Sequence, residues 1–311
     1  MVETLKSEIA KHGDKAAIVP IHRLQNIRQD IQDLKAREDL NNFQQYIVND
    51  LYSLAVPDTD FEVRSIILVA SPSPSAVKIM FTLKGKKIPS LLPASYVDKN
   101  RSPKRIEGYL KAFLNPSGYH ILYAPKLPHK LIAVRSGLGA YGRNNLCFVE
   151  GMGSFINLNP YFSDLMSDED TWQEIRQMEL CRTCQICLQN CPTAAMMPTR
   201  FLINNERCLT YFNEAGGEWN FPDWIDPSSH HTLYGCLRCQ TICPMNRQYL
   251  TTTREPVDFT EEETAFLLAG KSFELFPDGL KQKVETLDMN NYLGALPRNL
   301  RALFNQTLNS R

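Results

Sequence analysis

Eight of the nine cysteines in this 311-residue chain fall between Cys181 and Cys243, and that clustering limits what the chain can fold into more than any other feature. The first run is Cys181-x2-Cys184-x2-Cys187-x3-Cys191-Pro192. The second is Cys236-x2-Cys239-x3-Cys243-Pro244, and Cys208 stands alone between them. Tight C-x2-C-x2-C spacing wraps the backbone around one cuboidal cluster, and in two-cluster ferredoxins the fourth cysteine of such a run ligates the other cluster. The spacing therefore assigns Cys181, Cys184, Cys187 and Cys243 to one 4Fe–4S cluster. Cys191, Cys208, Cys236 and Cys239 make up the second, with Cys208 replacing the cysteine that the second run lacks. Pro192 and Pro244 suit a chain that turns away after each run, since proline fixes φ and leaves no amide to satisfy. Structural zinc is the alternative. Zinc ribbons space two C-x2-C pairs by roughly 15–20 residues and have no use for the third cysteine of each run. Cys147 is left over and reads as a small buried hydrophobe.

Lys+Arg and Asp+Glu balance at 34 each, so no net charge draws the chain toward nucleic acid or membrane. Residues 78–111 are locally basic, with nine Lys/Arg against Asp98 and Glu107. A solvated face around a Lys-Gly-Lys turn is the plain reading of that stretch. The N-terminal MVETLKSEIAKHG starts an amphipathic helix and lacks the apolar h-region of a signal peptide. No run approaches the roughly 18 apolar residues of a membrane span. The expectation is a cytoplasmic protein with no membrane partner, in which so many cysteines point to metal rather than disulfides.

Three regions divide the chain: 1–162, 163–250 and 251–311. The first alternates helical and strand patterns. Leu24, Ile27, Ile31 and Leu34 repeat at helical spacing, as do Phe43, Ile47, Leu51 and Leu54. The β-rich runs are 16–21, 65–70, 78–83 and 120–125, which together predict an α/β domain around a central sheet. NLCFVEGMGSFINL (145–158) reads as a hairpin turning at Gly151 and Gly153. The acidic stretch 163–179 leads into the cysteine module. A short helical tail follows, with Leu296, Leu300, Leu303, Phe304 and Leu308 on one face. The fold class is thus α+β: an α/β N-terminal domain, a ferredoxin-like double-cluster module and a short tail.

At the cysteines the chain resembles a known family. CRTCQICLQNCPTAAM, then ERCLTYFNE, then YGCLRCQTICPMN resemble epoxyqueuosine reductases, whose module is related to that of the reductive dehalogenases. VRSGLGAYGRNNLCFVEGMGSFINL (134–158) resembles the same family's Gly-x-Gly-x-x-Gly-basic-Asn loop and the Gly-Ser-Phe segment after it. The match is close over about 130–250 and looser before it. The resemblance implies a cobalamin held base-off, fed with single electrons through the two clusters by an external low-potential donor. In the family the substrate is the epoxide of a modified tRNA wobble base. The implied cofactor-binding residues are Gly137, Gly139, Tyr141, Gly142, Arg143, Asn144 and Asn145. Read alone, Gly-Leu-Gly-Ala-Tyr-Gly also matches a dinucleotide fingerprint. It follows a helix-like HKLIAVRS and precedes β-structure, the wrong context for that ligand.

Two departures from the family matter. Its Asp-x-Ala-Pro segment, whose carboxylic acid is the proposed proton donor, corresponds here to Leu122-Tyr123-Ala124-Pro125. Either proton delivery then comes from elsewhere, for example Tyr141, Tyr123 or Asp98, or the chemistry differs; packing is the ordinary role of such tyrosines. The tail also lacks the helical-repeat domain that grips tRNA in many members, and it holds seven Lys/Arg against nine Asp/Glu. That sign is wrong for a phosphate backbone. Three functions remain open: a cobalamin-dependent reductase of the epoxyqueuosine type, a paralogue acting on a small molecule or on a partner corrinoid protein, and an electron carrier with no substrate site.

Overall fold

The computed structural model describes residues 1–198, 201–251 and 255–309, with side chains to 305. In chain order the first elements are α1 (Val2–Lys11), β1 (Lys15–Pro20), α2 (Leu24–Lys35), α3 (Asn42–Tyr46), β2 (Ser65–Pro72), β3 (Ala76–Leu83) and β4 (Lys86–Pro93). Then come α4 (Ala94–Asp98), α5 (Arg101–Leu114), β5 (Ile121–Tyr123), α6 (His129–Arg135), β6 (Gly139–Tyr141), β7 (Cys147–Val149) and β8 (Ile156–Ser163). The rest are α7 (Ile186–Gln189), α8 (Leu209–Glu214), α9 (Arg238–Thr241), β9 (Val257–Phe259), α10 (Glu261–Leu268), α11 (Asp278–Thr286) and α12 (Leu296–Asn309). They form two compact units. One comprises 1–72 and 99–185, the other 73–98 and 186–311.

The first unit is built on a four-stranded sheet in the order β1-β2-β8-β5. Every pairing in it is antiparallel, with Ile67 opposite Ile18 on one side and Tyr161 on the other. Strand β2 is buried from Ser65 to Ser71. Successive side chains point to opposite faces, so such a run needs cover on both. Helices α1 and α5 supply one cover: Leu5 and Ile9, with Ile106, Leu110 and Leu114, meet Ile67, Val69 and Tyr161 in one core. Their i, i+4 spacing puts each set on a single helical stripe. Leu131–Val134 of α6 are buried, and α6 runs against β2 and β8.

The second unit has its own sheet, β4-β3-β9, in which β9 adds to β3 in parallel with Ile79 opposite Val257. Its core joins Phe81, Ile88 and Leu92 to Phe259, Leu280, Leu296 and Leu300. Residues 255–305 therefore build one wall of this core. Leu296, Leu300, Leu303 and Phe304 are buried on α12, as their spacing predicts. The side chain of Leu308, read onto the same face, lies outside the described residues.

Three local expectations change. The 78–83 run belongs to the second sheet and not to the sheet of β1 and β2, because its partner is β4. Lysines and Pro89 hid that strand, yet Pro89 sits on an edge strand, where a missing amide costs little. The turn between β3 and β4 is Lys84-Gly85, both at positive φ (49° and 69°), the two-residue hairpin turn that matches strand twist. The second change concerns 145–158. The hairpin is β6–β7, with Ala140 opposite Phe148, whereas β8 leaves to pair with β2. Gly151 and Gly153 do turn the chain between β7 and β8, at φ 74° and 66°. Thirdly, the helix read over 43–54 is α3, capped by an Asn41–Gln44 capping box and extended by one π-helical turn to Leu51.

Candidate functional site

In the first unit the β6–β7 hairpin carries the glycine loop. Segment 176–178 runs beside β6: the Tyr141 amide donates to Arg176 O at 3.1 Å, and the Met178 amide donates to Tyr141 O at 2.8 Å. Three residues later the chain reaches Cys181. The hairpin loop closes on itself, with Gly142 N to Leu146 O at 2.8 Å and Asn145 N to Gly142 O at 3.0 Å. Asn145 takes φ 60°, and its carbonyl accepts a hydrogen bond from Lys130 Nζ at 2.9 Å. Burial lowers the pKa of that amine. The Asn144 side chain accepts from the Leu146 amide at 3.3 Å.

Arg143 turns from this loop onto the first cysteine run. Its amide donates to Cys181 Sγ at 3.4 Å, and its Nε donates to Cys184 O at 2.9 Å. A terminal guanidinium nitrogen donates to the carbonyls of Cys181 and Arg182. Packing accounts for two of the loop glycines. A Cβ on Gly139 would stand 2.7 Å from Cys147 Sγ and from Phe148 O, and one on Gly142 would stand 2.5 Å from the Phe148 ring. Cys147 is buried, as its lone position suggested, and burial pushes its thiol up to about 12. Gly137, at φ 79°, opens on a cleft of about 270 Å³ lined by Lys15, Ser136, Leu138, Glu150 and Thr171. Pockets that enclose drug-sized ligands run from about 300 to 1,000 Å³. At that size the cleft does not by itself enclose a ligand of that class. With the side chains of Arg143, Asn144 and Asn145 engaged inside the protein, the loop has backbone to offer a cofactor, at the Ser136–Leu138 end.

The three candidate proton donors have different surroundings. Tyr141 is buried, and desolvation, with Tyr52, Cys147 and Asp30 as electrostatic neighbours, raises its pKa far above that of a free phenol. Tyr123 is part-buried against the Tyr161 ring, and burial raises its pKa as well. Asp98 belongs to the second unit, where it accepts a hydrogen bond from Ser73 Oγ at 2.8 Å. The structure places Tyr141 on the hairpin beside the first cysteine run.

The second unit holds the set Cys191, Cys208, Cys236 and Cys239, each near enough to feel others of the set. Burial, reinforced by the neighbouring sulfurs, pushes Cys236 up to about 12 and raises Cys208 and Cys239. Iron takes thiolates, so loading this set releases protons. Backbone amides already face the sulfurs. Ala195 N donates to Cys191 Sγ at 3.3 Å, aimed by Ala194 at φ 50°. The amides of Thr210 and Arg238 approach Cys208 and Cys236. Amide-to-sulfur bonds favour the thiolate and tune a cluster. Among the described residues no three Cys, His, Asp or Glu side chains converge as on one ion. The donor set and its amides fit a cluster.

Sequence reasoning missed the polar scaffold behind these cysteines. Asn299, buried on α12, donates to Asn213 O at 2.8 Å and to Leu233 O at 2.9 Å. Asn213 in turn donates to Gly235 O at 2.8 Å. Arg298 donates to the carbonyls of Phe212, Ala215, Gly216 and Trp219. Helix α12 thus fixes both α8, which begins just after Cys208, and the turn before Cys236. Gly235 sits at φ 68°, with the Tyr96 ring 2.7 Å from where a Cβ would stand. His231 accepts from Leu237 N at 3.2 Å and donates to Ser229 O at 2.9 Å, so it bridges backbone around Cys236. An Asn inside the apolar stripe of α12 was the readable signal for this scaffold.

A 4Fe-4S double cluster binding domain matches residues 180–246, the interval that contains all eight clustered cysteines. An epoxyqueuosine reductase of Escherichia coli K12 is 34% identical over 154 residues, covering 49% of this chain and 38% of that protein. One from Bacillus subtilis 168 is 30% identical over 122 residues, 39% of this chain and 30% of its own length. The chain resembles the epoxyqueuosine reductases. In fold the likeness to that family is more extensive. An epoxyqueuosine reductase structure with a modified tRNA stem loop aligns at a TM-score of 0.60 over 98% of this chain and 82% of its own, at 18% identity. Matched in sequence, the chain spans well under two thirds of these epoxyqueuosine reductases. No helix among the described residues is long and apolar enough to cross a membrane.

Proposed function

We propose that this chain is an iron–sulfur reductase working in the manner of epoxyqueuosine reductases, with two 4Fe–4S clusters fed one electron at a time by an external low-potential donor in the cytoplasm. The observation that carries the reading is the double-cluster domain set in a chain whose fold matches such a reductase over nearly its whole length. The clusters take the two cysteine sets assigned by spacing. Cobalamin is the proposed acceptor, and when bound it supplies a reducing cobalt centre that no side chain provides. Backbone at the Gly137–Leu138 end of the 137–145 loop is its proposed contact, and Tyr141, Tyr123 and Asp98 are the proposed proton sources. Tyr141 holds its proton tightly, so as an acid it acts only where negative charge develops beside it. The proposed substrate is epoxyqueuosine in tRNA, in line with the related structure that holds such a stem loop.

A second reading is favoured by one observation: Leu122–Pro125 has no carboxylate. Here the chain keeps its cofactors and reduces a small molecule or a partner corrinoid protein. The test is anaerobic incubation of reconstituted protein with cobalamin, a low-potential reductant and epoxyqueuosine-bearing tRNA, read by mass spectrometry of the nucleosides. Conversion to queuosine supports the first reading. No conversion by protein that has both clusters and cobalamin bound moves the assignment to the second.

A further inference from the structure

We infer that Arg143 is a positioning residue of the cluster that takes Cys181 and Cys184, and that it sets that cluster's reduction potential. The inference rests on the two-cluster reading above and concerns a residue that the family resemblance would give to the cofactor. The geometry points elsewhere. One side chain spans the carbonyls of Cys181, Arg182 and Cys184, while its own amide faces Cys181 Sγ. A C-x2-C turn leaves peptide carbonyls without helical partners. Such dipoles beside an anionic cluster oppose the addition of an electron. A guanidinium across three of them cancels that field, adds a fixed positive charge and holds the turn in the shape that aims both thiols. Its planar fork of donors suits several acceptors at once, where an ammonium is a point charge. The loop that presents it is braced from behind by Lys130 on Asn145 and by the close packing of Gly139 and Gly142.

The test uses the full chain, reconstituted anaerobically as wild type, Arg143→Lys and Arg143→Ala. Iron content, EPR-monitored redox titration and the rate of iron loss to a chelator are measured. Wild type giving two cluster signals establishes the underlying reading by itself; a wild type without them refutes that reading before any variant is compared. With two signals present, Arg143→Ala is expected to move one potential to more negative values and leave the other in place. Arg143→Lys keeps the charge, so its potential returns most of the way to the wild-type value. It loses the fork, so that cluster gives up iron several-fold faster than in wild type. Far-ultraviolet circular dichroism unchanged in Arg143→Lys shows that the chain folds. The inference is overturned if both potentials stay put in both variants, or if both clusters shift together.

Discussion

Asn299→Leu is expected to destabilise the second unit by about 2–6 kcal/mol, from roughly 1–3 kcal/mol for each of two carbonyls left without a donor. Those carbonyls, of Asn213 and Leu233, lose their donor together, and a leucine side chain supplies no other. Asn213 Oδ1 is already buried without a partner, so the network has no slack to absorb the change. The loss reaches the metal centre because Asn213 also holds Gly235, next to Cys236, and lies on the helix that follows Cys208. Iron content is therefore expected to fall along with the unfolding midpoint. Arg301→Ala on the same helix is the control. Its side chain is exposed and, among the described residues, donates to Leu268 O alone, so it should cost no more than about 0.5 kcal/mol. A denaturant series on anaerobic protein, with iron measured on each variant, separates the two outcomes. Equal, small effects would show that α12 does not support the cysteine loops.

Cys208→Ala is expected to remove one cluster whole. Two 4Fe–4S clusters carry about eight irons per chain, and the variant should retain about four. Cys147→Ala should retain all of them, since that thiol is buried in the hairpin against Gly139. The pair tests the four-plus-four arithmetic, in which the solitary cysteine between the runs is a ligand and the ninth is packing. Full iron in Cys208→Ala would break that arithmetic. Lost iron in Cys147→Ala would bring the ninth cysteine into the site.

The metal chemistry was legible in the chain because cluster ligation is a matter of spacing: Cys181 to Cys191 and Cys236 to Cys243 carry it in a handful of residues. Strands β1 and β2 were legible as apolar runs, and α12 through its Leu296, Leu300, Leu303 and Phe304 stripe. What escaped depends on contacts between distant residues. Strand β4 looked like a basic loop because Lys86, Lys87 and Pro89 mask an alternation whose inward residues are Ile88, Ser90 and Leu92. Strand β8 read as the return arm of β7, since no local signal says that Ile156–Ser163 will pair with β2, about ninety residues earlier. Arg143 was legible as a basic residue in a glycine loop. Its partners are carbonyls near Cys181 and Cys184, and carbonyls leave no trace in a sequence. Gly139 and Gly142 read as room for a cofactor, and a packing reason for both escaped: Cys147 and Phe148 stand where a Cβ would be.

Delivery of electrons from the clusters to a corrinoid held by this chain is the step proposed above. Its most direct test is anaerobic titration of the iron–sulfur-loaded protein with cobalamin, followed by visible absorbance and by EPR after one-electron reduction. Saturable binding is expected, with a base-off cobalt signal that appears as the clusters donate. A titration in which the clusters reduce normally while cobalamin stays free in solution would contradict it, and would make the chain an electron carrier for a partner protein.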